Sequence, residues 1–320
     1  MKKSLFALAA TTAFAGAAQA QSSVTVYGIL DVGYVGYNTR VAEGNTGNKA
    51  VNKTTGNAFS SSAESTSRLG FKGTEDLGGG NSAFFTLELG VTPNSAQSIN
   101  SGGTQNRQAF VGLKKNGVGQ FALGTQYTIV HNAVSATDPG QANNISGNLV
   151  YPAVTEGTGG TENSTGAAYT VRTNNQLSLN SATFAGFTGN AMLVMNNKNQ
   201  NETITVSGAT STTTGGLNNQ NGWGLGLNYA WNKFYATANY QALTSKQSTQ
   251  TVNTAATTWA NYWTAGAPAA GYAGGASAPG TNVQDNQWYL AATYDFGILK
   301  AYAQYINRKI SAQQNNSYYL

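Results

Sequence analysis

The chain has no cysteine, a single histidine and few charges: 17 basic and 12 acidic residues among 320, or 9%. Soluble domains carry about a quarter, so this is not an ordinary soluble composition. The lack of cysteine rules out a disulfide framework and a thiol nucleophile. With His131 as the only histidine, a multi-histidine metal site is excluded. A mean hydropathy of -0.30 is too polar for a helical membrane protein. What is abundant is aromatic, with 17 Tyr, 12 Phe and 5 Trp, which is too many large rings for a chain that buries nothing. The polar residues are mostly uncharged Asn, Gln, Ser and Thr, accompanied by 39 Gly and 5 Pro. This composition points to an all-β protein.

The first 20 residues read as a secretory signal: Lys2 and Lys3, an apolar stretch over 5–16, and the small-x-small site Ala18-Gln19-Ala20. The mature chain is expected to begin at Gln21 and to form one domain over 21–320. Losing two lysines leaves 15 basic residues against 12 acidic. An excess of three, scattered along the chain, does not make a nucleic-acid surface.

Period two runs through the mature sequence. Val24, Val26, Gly28, Leu30, Val32 and Tyr34 oppose Thr25, Tyr27, Ile29 and Asp31. Leu69, Phe71 and Gly73 oppose Arg68, Gly70, Lys72 and Thr74. Two cations on one strand face require water or partners there. The same alternation recurs over 83–89, 223–231, 234–241, 288–296 and 299–308, with weaker segments at 107–114, 119–127, 167–180 and 187–196. These amount to about eleven strands of roughly ten residues, the length a tilted strand needs to cross a bilayer. The connections alternate in length. Segments 38–66, 92–106, 128–166, 197–221 and 245–282 are long, whereas 77–81, 115–118, 181–186, 230–233 and 295–297 are short. Strands so connected form a transmembrane antiparallel up-and-down β-barrel with all its long loops at one end. Tyr229, Trp231, Tyr294 and Phe296 beside short turns are expected to form an aromatic girdle.

Three runs carry a family resemblance. Ser22-Ser23-Val24-Thr25-Val26-Tyr27-Gly28 is followed by Asp31, then Ser67-Arg68-Leu69-Gly70-Phe71-Lys72-Gly73-Thr74-Glu75-Asp76-Leu77-Gly78-Gly79-Gly80, then Arg107-Gln108-Ala109-Phe110-Val111-Gly112-Leu113. Together they resemble the general porins of Gram-negative betaproteobacteria and Neisseria. The resemblance implies a homotrimer of 16-stranded barrels in outer-membrane lipid. Each barrel is a water-filled pore for small hydrophilic solutes and ions, without a cofactor, narrowed by a loop folded inward after the fifth strand. Segment 128–166 follows the fifth strand here.

Two departures stand out. The family pattern Gly-Arg-Gln reads Gly124-Thr125-Gln126, and the chain stops at Tyr318-Tyr319-Leu320 where members end in a strand with a terminal Phe. The expectation is a chain about four or five strands short of the family pattern, incomplete at its C-terminus, in preference to a complete 12-stranded barrel.

The candidate functional residues are the charges of the wet face. Arg68, Lys72, Arg172, Lys300 and Arg308 share it with Asp31, Glu88 and Asp295. Arg107 lies in the apolar parity of Ala109, Val111 and Leu113, and the resemblance alone turns it toward the constriction. In the inward loop, Asp138, Glu156 and Glu162 are placed to oppose the wall cations across a narrow pore. Enzyme chemistry is not expected. A triad of Ser, His131 and Asp138 lacks any Gly-x-Ser-x-Gly setting, and Gly78-Gly79-Gly80 joins two strands without opening a helix. The competing reading is a non-conducting structural or adhesin barrel whose external loops bind a ligand.

Overall fold

Alternating residues pair here as long antiparallel strands. The computed structural model describes residues 23–42, 51–62, 64–95, 106–144, 171–207, 210–247 and 280–315. The proposed signal segment, most of the connection after 245, and Glu156 and Glu162 lie outside the described residues. The elements are β1 (Ser23–Ile29), β2 (Val32–Ala42), β3 (Val51–Ser61), β4 (Arg68–Gly78), β5 (Asn81–Gly90), β6 (Asn106–Lys115), β7 (Gly119–Tyr127), helix α1 (Ile129–Thr137), β8 (Arg172–Ser181), β9 (Phe187–Ser207), β10 (Thr210–Trp231), β11 (Phe234–Gln247), β12 (Gly280–Asp295) and β13 (Lys300–Asn315). Eleven strands form one sheet in the order β1-β4-β5-β6-β7-β8-β9-β10-β11-β12-β13, while β2 and β3 pair only with each other. From β4 onward every strand lies beside its sequence neighbour, which makes the sheet an up-and-down meander.

Two expected loops are strands. The first strand ends at Ile29, paired with Arg68, and the chain leaves the main sheet to build the β2–β3 ribbon within the expected loop 38–66. Asp31 causes the break: its Oδ2 accepts the backbone N–H groups of Glu64 (2.7 Å) and Ser65 (2.5 Å), and its carbonyl accepts that of Ser62 (2.8 Å). A carboxylate that gathers backbone donors this way replaces strand pairing with a clasp. In the second case β9 and β10 continue through the expected loop 197–221, paired from Phe187 opposite Tyr229 to Ser207 opposite Thr210 with one register shift between Thr214 and Gly216. Thr203, Ile204, Thr205 and Val206 are β-branched and suit a pleated ribbon.

The short connections are tight turns. Gly78, Gly79 and Gly80 have φ of 81°, 60° and 77°, a left-handed run that a side chain would oppose. One sheet face is apolar and open. Val24, Val26, Val111, Leu123, Leu193, Leu225, Leu227 and Leu290 all project from it. Near the short turns Phe187 meets Tyr229 at 4.5 Å and Tyr294 meets Phe296 at 4.6 Å. Trp223, Tyr240 and Trp288 form a second cluster, with centroids 5.2 and 4.5 Å apart. From Trp223 to Trp231 is eight residues of strand, roughly 20 Å of height once tilt is allowed. An apolar band between two aromatic belts is the surface a bilayer selects.

The opposite face is concave. Helix α1 packs on β9 to β13, and Asn144, just beyond it, hydrogen bonds to Glu64 and Ser62 beside the start of β4. A single inward segment touches both ends of the strand order, so the sheet curls around it. Among the described residues no pairing joins β1 to β13.

Candidate functional site

The inward segment begins where β7 ends. The Thr128 hydroxyl accepts the N–H of His131 (3.3 Å) and caps the helix. Ile129, Val130, Ala133 and Val134 bury one helix face against Met192, Val194, Leu243, Tyr289 and Ala291 on the inner wall. Asn132 and Ser135 face the other way, into a cleft of about 460 Å³. Across that cleft stand Arg68, Arg107 and Tyr127, and its floor is the turn 140–144.

Arg107 reaches the cleft because the strand slips. Glu88 pairs with Gln108 but Leu89 pairs with Asn106, so one residue of β6 has no opposite number. A bulge of this kind reverses which face a side chain takes. Arg107 therefore points inward although Val111 and Leu113, in its parity, point out. Its Nε lies 2.8 Å from Glu88 Oε1, with both side chains 3% exposed. Its Nη2 donates to the Tyr127 hydroxyl at 2.5 Å. The other Glu88 oxygen accepts the Tyr27 hydroxyl (3.1 Å), and Arg68 lies farther off at 3.9 Å. Gly70 makes room for this arrangement: a Cβ there would fall inside the Tyr27 ring. A stack extends the cluster, with Arg172 over Tyr127 at 5.5 Å and Tyr127 against His131 at 4.4 Å. Lys72 sits over the Tyr27 ring, its Nζ 5.6 Å from the centroid.

The structure thus gathers Arg68, Lys72, Arg107, Arg172 and Glu88 on one wall. Other candidates stand apart. Arg308 grips Asp285 on the far wall, with Nε 3.1 Å from both carboxylate oxygens and Nη2 2.5 Å from Oδ2. Lys300 lies by a short turn, opposite Asp295 in register and 5.2 Å from the Tyr302 ring. Asp31 is the clasp already described. Asp138 follows the helix: its N–H donates to the Val134 carbonyl and its Oδ2 accepts the N–H of Ala142 (2.9 Å). Both carboxylates serve backbone geometry first.

Sequence reasoning missed Asp285, Gln241 and Gln287. All are essentially dry, at 1%, 0% and 0% exposure. The signal was available, because Asp285 and Gln287 continue the inward parity of Tyr289, and a meander register places Arg308 opposite Gln287 and diagonal to Asp285. Among the described residues there is no group of three or more metal-ligating side chains.

A family model for Gram-negative porins matches residues 7–320. An outer membrane porin protein of Bordetella pertussis is 39% identical over 152 residues, which is 45% of this chain and 39% of that protein. Outer membrane porin protein 32 of Delftia acidovorans is 35% identical over 187 residues, 58% of this chain and 48% of the relative. The chain thus spans less than half the length of these curated relatives. Among solved structures, an anion-selective porin from Comamonas acidovorans superimposes with a TM-score of 0.48 at 21% identity, covering 91% of this chain and 80% of that one. The family and its relatives place the chain in the bacterial outer membrane, consistent with its apolar outer band. Matched over nearly its whole length, the chain belongs to the Gram-negative porins.

Proposed function

We propose that the chain, exported with loss of residues 1–20, forms the wall and constriction of a water-filled channel. Small hydrophilic solutes and inorganic ions diffuse through it passively, with no cofactor and no covalent step, and the protein assembles as a homotrimer in outer-membrane lipid. One observation carries this reading: the outward parity is an apolar, belted band, while the inward parity holds cations beside a cleft of about 460 Å³. Charges arrayed along a narrow aqueous passage order dipolar solutes and bias ions.

The preference should be for anions, and mild. Arg107 is matched by Glu88 and Arg308 by Asp285. Arg68 meets Glu88 only at 3.9 Å, and Lys72 has no carboxylate partner among the described residues. These two are the proposed selectivity residues, screened over about 10 Å at 0.1 M salt. Reversal potentials in a KCl gradient across planar bilayers test the reading. The expected result is discrete conductance steps, a weak anion preference that fades as salt rises, and loss of that preference in Arg68→Gln with Lys72→Gln. Strong cation selectivity untouched by the pair would overturn the assignment. A folded, inserted protein with no conductance would favour the adhesin alternative.

A further inference from the structure

The helix that narrows the lumen is held at both ends by the wall of β11, β12 and β13. At its start, the backbone N–H of Val130 donates to Gln241 Oε1 (3.3 Å). Gln241 Nε2 donates to Gln287 Oε1 (3.1 Å), and Gln287 Nε2 donates to Asp285 Oδ1 (3.1 Å). Arg308 closes the line on Asp285. At the helix end, the Thr137 carbonyl accepts Gln304 Nε2 (2.6 Å), and the Thr137 hydroxyl meets the Tyr289 hydroxyl at 2.6 Å. The groups that a helix leaves unpaired at its termini are thus satisfied by strand side chains.

The line has a direction, and Asp285 sets it. An ionised carboxylate only accepts hydrogen bonds. Gln287 must therefore turn its NH₂ toward Asp285, which leaves its oxygen facing Gln241. Gln241 then turns its own NH₂ to Gln287 and presents an oxygen to the helix. An amide turned the other way would aim two donors at the Val130 N–H. In a site this dry, such a mismatch is costly. The face of α1 opposite this anchor carries Asn132 and Ser135 and bounds the cleft below Arg68 and Arg107.

We propose that Asp285 is a positioning residue for permeation: acting through Gln287 and Gln241, it seats helix α1 and so fixes the aperture between helix and cationic wall. This rests on the channel reading above. Gln241→Met tests it without disturbing the Arg308–Asp285 pair, and Asp285→Asn tests the source of direction at constant size. Each variant of the full chain is refolded and followed in two ways. Amide hydrogen exchange over residues 129–137 should rise about tenfold in both, with exchange in β4 to β7 unchanged, because local opening is read separately from global unfolding. Single-channel records should lose their one sharp conductance level and show substates, while reversal potentials stay closer to wild type than in Arg68→Gln. A role confined to stability would shift the unfolding midpoint and leave the conductance level sharp, and that result overturns the proposal. So does unchanged helix exchange in both variants. A wild-type chain that conducts nothing sinks the channel reading and the aperture claim with it. The exchange arm would then still decide whether Asp285 seats the helix.

Discussion

The β4–β7 wall and the β10–β13 wall are made from the same alternating strands, yet their inward faces meet different surroundings. On β4–β7 the inward charges include Arg68, Lys72, Glu88 and, through a bulge, Arg107, and of these Arg68 and Arg107 line a cleft. On β10–β13 much of the inward face is covered, in part by α1, and its buried residues with polar groups include Thr237, Asn239, Gln241, Asp285, Gln287, Tyr289 and Thr293. Where water reaches the wall, net charge is tolerated. Where protein covers it, the wall combines an apolar seat for α1, including Leu243 and Ala291, with amides, hydroxyls and one matched ion pair, since a buried polar group must find its partner inside the protein. The strand period alone does not decide this; the inward segment does, by choosing which wall it lies on.

The sharpest test of that contrast is the pair that breaks the pattern, Glu88 and Arg107, dry although they lie on the wet wall. Removing one partner of a buried pair leaves an uncompensated charge, at a cost of about 3–5 kcal/mol. Glu88→Leu should therefore lower the denaturant midpoint of the folded protein severely, and Glu88→Gln with Arg107→Gln should lower it much less. Equal losses would mean that water reaches the pair, and the contrast between the walls would dissolve.

A smaller effect comes from glycines on the two walls. Gly70→Ala drives a methyl into the Tyr27 ring and pulls that hydroxyl from Glu88, an overpacking cost of about 1–3 kcal/mol. Gly224, beneath the helix, would meet the tips of Ile129 and Met192 at 2.7 and 3.1 Å and the backbone carbonyl of Tyr240 at 3.0 Å. Gly224→Ala should cost less, because its shortest contact, with the Ile129 tip, can turn aside and only the Tyr240 carbonyl at 3.0 Å must give by a few tenths of an ångström. Thermal melts of the two variants decide it, and a larger loss at Gly224 would show the helix to be packed more rigidly than the cationic wall.

Most of the fold was legible from period and loop length. Strands such as β4 and β12 declare their outward side by apolar residues such as Leu69, Phe71, Trp288 and Leu290, and turns such as 78–80 declare themselves by glycine. Two features were not legible for physical reasons. The break at Asp31 depends on amides of Glu64 and Ser65 more than thirty residues away, so nothing local marks it. The far part of the β9–β10 ribbon has a sequence rich in Asn, Thr and Gly with only a short apolar alternation at Ile204 and Val206 to follow. At the site, Arg68 and Lys72 could be placed by parity, whereas a one-residue bulge inverted Arg107 and period two has no means of anticipating that. Asp285 is the opposite case: parity pointed inward, but its importance comes from a helix that only tertiary structure brings beside Gln241 and Gln287.

The smallest effect isolates charge from packing by comparing two lysines that share a contact. Lys72 lies 5.6 Å from the Tyr27 ring and Lys300 lies 5.2 Å from the Tyr302 ring. Exposed contacts of this kind are worth about 0.5–1 kcal/mol, so neither Lys72→Gln nor Lys300→Gln should move a melting curve far. Their surroundings differ. Lys72 stands on the wall that carries Arg68 and Arg107, whereas Lys300 faces Asp295 beside a turn. Its field is partly offset by the opposite charge on the neighbouring strand, and at 0.1 M salt little of it extends past about 10 Å. Lys72→Gln should therefore shift the reversal potential measurably toward zero, and Lys300→Gln should leave it where it was. Equal shifts would place the selective step along the whole wall, down to the turns, and not at the cleft beside α1.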